Sequence, residues 1–142
     1  MLIPYATVAD PKAAIDLYES ALGASVVNIM EAPDGSIMHA ELSIAEQRLM
    51  LSGEWPGFSL APTQRSPVNF MLYVENSDNS YAKAIQAGMT SSSEPQDMFW
   101  GERNAKVLDG HGYEWTFSHK IEDVSKEEMQ KRANAFAESL GK

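Results

Sequence analysis

The chain reads as an α+β protein that builds the same βαβββ unit twice, the two modules forming a curved mixed sheet around a cavity, with one more helix at the C-terminal end. Three observations predict this. VADPKAAIDLYESALG (8–23) and VENSDNSYAKAIQAG (74–88) share one grammar: a valine, a capping residue, amphipathic turns and a closing glycine. Each follows a short apolar run of strand formers, and each is followed by three further strand-like segments. Between the halves, GEWPGFSLAPTQRSP (53–67) has no period and holds three prolines.

Taken in order, LIPYATVA is the first strand. Asp10-Pro11 supplies an N-cap followed by proline at the first helical position, and Gly23 stands where a left-handed C-cap belongs. Ala14, Ile15, Tyr18 and Leu22 fall on one stripe of that helix. ASVVNIMEA is a strand, and PDGS is a turn. IMHAELSIA alternates, with Met38, Ala40, Leu42 and Ile44 on one side and His39 and Glu41 on the other, and QRLMLSG is a fourth strand. The connector is expected to be packed down by Trp55, Phe58 and Leu60. The pattern then restarts with VNFMLYVEN, a helix capped by Ser77 and closed by Gly88, and strands in MTSSSEPQDMF, GERNAKVLD and GYEWTFSHK. Asp109-Gly110-His111-Gly112 has the composition of a tight turn, with His111 exposed; His119, past its strand, is a surface residue. Ser125 and Glu128 form a capping box, and Met129, Ala133, Phe136, Ala137 and Leu140 share a face of the last helix. One domain spans 1–142: first module 1–53, connector 54–67, second module 68–120, C-terminal helix 121–142.

Composition narrows the function. Eleven Lys+Arg against 20 Asp+Glu give a net charge of −9, a field that repels phosphate backbones and anionic lipid, so neither nucleic acid nor membrane is an expected partner. With Cys 0, disulfides, thiolate catalysis and zinc knuckles are excluded together. No apolar run approaches the length that spans a bilayer, and the N-terminus lacks the marks of a signal peptide, so a cytoplasmic protein is expected. There is no GxGxxG after a strand, no GxxxxGK[ST] and no GxSxG.

The stretches IPY, LYESALGA, PDGSIMHAELSI, LMLSGEWP, SPVNFMLYVE, FWGERNAKVLDGHGYEW and EDVSKEEM resemble the vicinal oxygen chelate superfamily, which holds glyoxalase I, bleomycin-resistance proteins and extradiol dioxygenases, and within it the PhnB-like branch. The resemblance implies the glyoxalase/bleomycin-resistance fold, usually as a homodimer with a concave cavity per module pair. Metal-dependent members place one ligand on each of four cavity-facing strands. The matching positions here fall on Ile3, near Met50, on Asn69 and on Thr116, which are not a ligand set for zinc, nickel or iron. No metal and no cofactor are therefore expected.

If Thr116 points into the cavity, alternation sends Glu114 and Ser118 there too, and leaves Tyr113, Trp115 and Phe117 in the core. The same rule puts Asn69, Met71 and Tyr73 inside, with Tyr5, Thr7, His39, Glu41, Arg48, Met50 and Ser52 from the first module. His39-x-Glu41 fits a general acid/base pair or two ligands of a relocated metal site, and equally a polar contact on a solvated sheet. Arg48 fits a ligand carboxylate or phosphate, or a partner such as Glu41 or Glu46. Trp100 either lies across the cavity mouth with Arg103 beside it, or plugs the cavity or a dimer contact while Arg103 pairs with Glu102 or Asp97. The expected function is small-molecule binding in the cavity; the alternative is a metal-assisted isomerase, lyase or dioxygenase using His39 and Glu41.

Overall fold

The computed structural model describes residues 1–141. The elements are β1 (Tyr5–Thr7), α1 (Pro11–Leu22), β2 (Ser25–Glu31), β3 (Ile37–Ile44), β4 (Gln47–Ser52), β5 (Phe70–Tyr73), α2 (Ser77–Ala87), β6 (Thr90–Asp97), β7 (Glu102–Leu108), β8 (Glu114–Lys120) and α3 (Lys126–Ser139). The strands form two four-stranded sheets, ordered β1-β4-β3-β2 and β5-β8-β7-β6. In each the first strand runs parallel to the last and the other neighbours are antiparallel. The α+β architecture is the one the repeat predicts. Among the described residues no strand of one sheet pairs with a strand of the other.

Local chemistry sets the boundaries. The Asp10 side chain accepts from Ala13 N–H, and Gly23 closes α1 in the left-handed region at φ 68°. In α2 the cap is Asn76, not Ser77 as the sequence suggests: the Asn76 side chain accepts from Asn79 N–H, while Ser77 is the first helical residue and fully buried. An Asx cap one residue earlier frees the Ser77 hydroxyl to donate to the Arg103 carbonyl. Ser125 caps α3 as expected, but Glu128 pairs with Arg132 rather than completing a capping box.

Alternation decides what is buried. Ala40, Leu42 and Ile44 of β3 face Leu49 and Leu51 of β4, Ala6 and Val8 beside β1, and the Ala14, Ile15, Tyr18 and Ala21 stripe of α1. Each large apolar side chain taken fully out of water there contributes about 1.5–3 kcal/mol before cavity terms. The core is shared between modules: α1 packs on α2, and the Tyr18 ring lies 5.3 Å from Trp115, itself 4.6 Å from Phe70. Asp109 fastens this junction. Its carboxylate accepts from Tyr18 OH (2.5 Å), Trp115 Nε1 (3.0 Å), His111 N–H (2.7 Å) and Tyr113 N–H (3.1 Å). Tyr113 in turn donates its hydroxyl to the Thr7 carbonyl on the free edge of β1.

The connector departs from expectation. Trp55, Phe58 and Leu60 are exposed, Phe58 at 92%. What holds the segment is Pro62 against Gly112, Ser66 N–H on the Gly112 carbonyl, and Arg65 on Glu114. α3 buries no residue and is tethered to the Phe99–Gly101 turn, where Arg132 donates to the Phe99 carbonyl and Phe136 lies 5.4 Å from the Phe99 ring, and to Glu122, whose carboxylate accepts from Arg132.

Candidate functional site

Because the helix-bearing faces of both sheets are spent on the common core, the opposite faces remain open, and they carry most of the residues that alternation nominates. On the first sheet these are Tyr5 and Thr7, then Arg48, Met50 and Ser52, then His39 and Glu41. Register places Met50 opposite both Tyr5 and Glu41. Tyr5 reaches over β4, so that its hydroxyl lies 2.8 Å from His39 Nδ1 with the rings 5.6 Å apart. Arg48 donates to Glu41 at 3.3 Å. Although His39 and Glu41 share a face, each is engaged by a different neighbour and no hydrogen bond joins them among the described residues. Ser52 is buried and donates to the Gly53 carbonyl.

The second sheet reads as rows across its strands. Tyr73, Ser118, Asn104 and Gln96 stand side by side, and next to them Met71, Thr116, Lys106 and Ser93. Tyr73 and Met71 are 64% and 51% exposed, whereas Ser118, Asn104 and Thr116 are sunk between taller neighbours. Glu102 continues the line of Asn104 and Lys106. It accepts from Trp100 Nε1 at 2.8 Å, and its carboxylate raises the Tyr73 pKa by favouring the protonated phenol. Trp100 therefore packs at one end of this face, its ring 4.9 Å from Phe99 under α3. Glu114 is buried and held by Arg65 (3.2 Å) and Ser92 (2.6 Å).

Arg103 is not part of this constellation. β7 alternates, so Arg103 points with Ala105 and Val107 to the helix side, where it bonds Asp78 at 2.8 and 3.0 Å and Asp97 at 2.8 Å. The guanidinium holds the Asp78 carboxyl below the usual carboxylate range, chiefly through that hydrogen bond. Pairing with Asp97 was one of the two arrangements open from sequence; pairing with Asp78 of α2 was not foreseen. The signal is the period of two in ERNAKVL, which sets Arg103 on the side of Ala105 and Val107. His119 also faces the helix side, half-buried, with Nδ1 accepting from Ser77 N–H at 2.9 Å, so it serves the α2 terminus rather than solvent. His111 is half-buried, its ring edge-on to Tyr18 at 6.5 Å.

Residues of both modules line a cleft of about 330 Å³: Gln47, Arg48 and Leu49 from the first, and Asn69, Met71 and Trp115 from the second. Such a volume suits a small molecule. The donor set does not suit a metal: among the described residues no three His, Cys, Asp or Glu side chains gather as ligands, and Tyr5 and Arg48 already engage His39 and Glu41.

The model of the Glyoxalase/Bleomycin resistance protein/Dioxygenase superfamily matches residues 4–117. An uncharacterised protein of Mycobacterium bovis is 33% identical over 135 residues, covering 91% of this chain and 89% of that protein. One from Mycobacterium tuberculosis is also 33% identical, over 91% of this chain and 79% of its own length. Among solved structures, TioX from Micromonospora sp. ML1 superposes with a TM-score of 0.70 at 21% identity, over 84% of this chain and 98% of that one. An Arabidopsis thaliana gene product gives 0.68 at 25%, over 83% and 97%. A glyoxalase/bleomycin resistance protein/dioxygenase from Nocardioides gives 0.64 at 20%, over 87% and 85%.

Proposed function

Since the chain belongs to the Glyoxalase/Bleomycin resistance protein/Dioxygenase superfamily, we propose that it is a PhnB-like member that binds a small organic molecule on its open sheet faces, without the metal of its chelating relatives. The observation that carries this reading is the exposure of Tyr5, Met71 and Tyr73 at 55%, 51% and 64%, beside hydrogen-bonding groups on faces that the protein's own core does not use. A soluble domain seldom leaves aromatic and thioether side chains clustered with polar ones unless something covers them. The homodimer fits the same surfaces. Val26, Val27 and Met30 on the edge strand β2 are exposed as well, at 40%, 44% and 51%, so a second copy would close what one chain leaves open.

Donor chemistry supports the metal-free part: the positions that the resemblance matches to the four ligands fall on Ile3, near Met50, on Asn69 and on Thr116. Elemental analysis of untagged protein tests it: stoichiometric metal that disappears in His39→Ala would overturn it and favour a metal-assisted reaction. Thermal-shift screening against a metabolite and drug library tests binding, because a ligand that prefers the folded state stabilises it by about 2.7 kcal/mol at 100-fold excess over Kd and so raises the melting temperature. Hits that survive in Tyr73→Ala and Tyr5→Ala alike would refute the open faces as the site. Sedimentation at several concentrations decides the dimer.

A further inference from the structure

Asn104 Oδ1 and Ser118 Oγ are buried with no hydrogen-bond partner, and they belong to residues directly opposite one another on the open face of β7 and β8. Unpartnered buried polar atoms are rare because each gives up its hydration without a replacement bond. Here one is an acceptor only and the other a hydroxyl, so a single incoming O–H group satisfies both, donating to Asn104 and accepting from Ser118. Two residues along β7, on the same face and about 7 Å away at ordinary strand rise, stands Lys106, which makes no ion pair among the described residues. Glu102 stands the same distance on the other side of Asn104, where it accepts from Trp100 Nε1. The charge gradient along the strand, carboxylate to amide to ammonium, therefore orients an anionic ligand with its charge toward Lys106. Tyr73, Trp100 and Met71 form an apolar rim around the row.

Deepening the reading of these faces as a ligand surface, and resting on it, we infer that the second sheet binds a hydroxylated aromatic monocarboxylate, hydroxyl on Asn104 and Ser118, carboxylate on Lys106, ring against Tyr73. One benzene ring separates the two groups of such a molecule by about the spacing of the two residues.

The test uses the full chain, with 4-hydroxybenzoate, benzoate and 4-hydroxybenzyl alcohol as probes in calorimetric titration, and melting curves of the free protein. Saturable binding of 4-hydroxybenzoate is expected, weakened about tenfold in Ser118→Ala to the level of benzoate. The same substitution should raise the melting temperature of the free protein, since it removes an unsatisfied group. Lys106→Gln should weaken both carboxylates alike and leave 4-hydroxybenzyl alcohol unchanged. A Ser118→Ala variant that melts lower would mean that a resident water already satisfies the hydroxyl, and would overturn the inference, as would equal affinity for 4-hydroxybenzoate in that variant. Absence of saturable binding at millimolar probe overturns the ligand class alone; library hits lost in Tyr73→Ala would still uphold the broader reading.

Discussion

Asp109 is the residue through which the two modules are fixed, and its removal should be felt far beyond one turn. The carboxylate is 4% exposed and takes four donors, one from α1 and three from its own hairpin. In Asp109→Ala the Tyr18 hydroxyl and the Trp115 indole N–H lose their acceptor in a dry site. Two orphaned donors cost about 1–3 kcal/mol each, so a loss of about 4 kcal/mol is expected. At roughly 4 °C per kcal/mol for a chain of this size, melting falls by about 15 °C. Tyr18→Phe removes only one charge-assisted bond and leaves Asp109 three donors, for about 2 kcal/mol. Burial first, and then the adjacent Asp109 charge, push the Tyr18 hydroxyl far above its ordinary pKa, so it stays a donor at every accessible pH. The decisive measurement is the double mutant by urea unfolding. With Asp109 gone, the Tyr18 hydroxyl is a liability, so Tyr18→Phe should then be neutral or stabilising, a coupling of about 2 kcal/mol. Additive losses would refute the hydrogen bond as the fastening and leave only ring packing between the modules.

Gly101 sits at φ 93°, and a Cβ there would stand 2.6 Å from the Glu122 carbonyl oxygen, so Gly101→Ala should displace the segment leading to α3 and speed proteolysis after Lys120. Ala45 and Glu46 form the β3–β4 turn with φ of 50° and 63°, so Ala45→Asn with Glu46→Gly should gain about 1 kcal/mol in urea unfolding. The Arg132 hydrogen bond holds the Glu122 carboxyl below its ordinary value of 4.5. A depressed folded-state pKa stabilises above that ordinary value and loses its contribution as pH falls through the folded one, so the protection of α3 amides, each exchange rate taken against the intrinsic rate at the same pH, should fall as the solution is taken from neutral to about pH 3, and in Glu122→Gln that acid dependence should fade.

The fold was legible because each of its signals is local. Asp10-Pro11, Gly23 and Gly88 announce helix ends by chain stereochemistry alone, and IMHAELSI sorts core from open face by period two whatever lies beyond it. The candidate site was legible only as far as that parity was carried. It found the Tyr5, Met50, Glu41 face and the Met71, Tyr73, Thr116 face; where an arginine looked like a ligand grip, parity on β7 would have sent it under α2 instead. Other features have no local signature. Asp109 looks like any turn aspartate until Tyr18, 91 residues away, turns out to donate to it. Phe58 and Leu60 look like packing residues, yet the connector is held by Pro62 and Arg65, because anchoring depends on what the opposite strand offers, here Gly112 without a side chain and Glu114 with a charge. The partnerless state of Asn104 Oδ1 and Ser118 Oγ is likewise a property of the finished sheet: parity sends Ser118 to the open face with Thr116, but only the register of β7 and β8 sets it opposite Asn104 with both atoms buried.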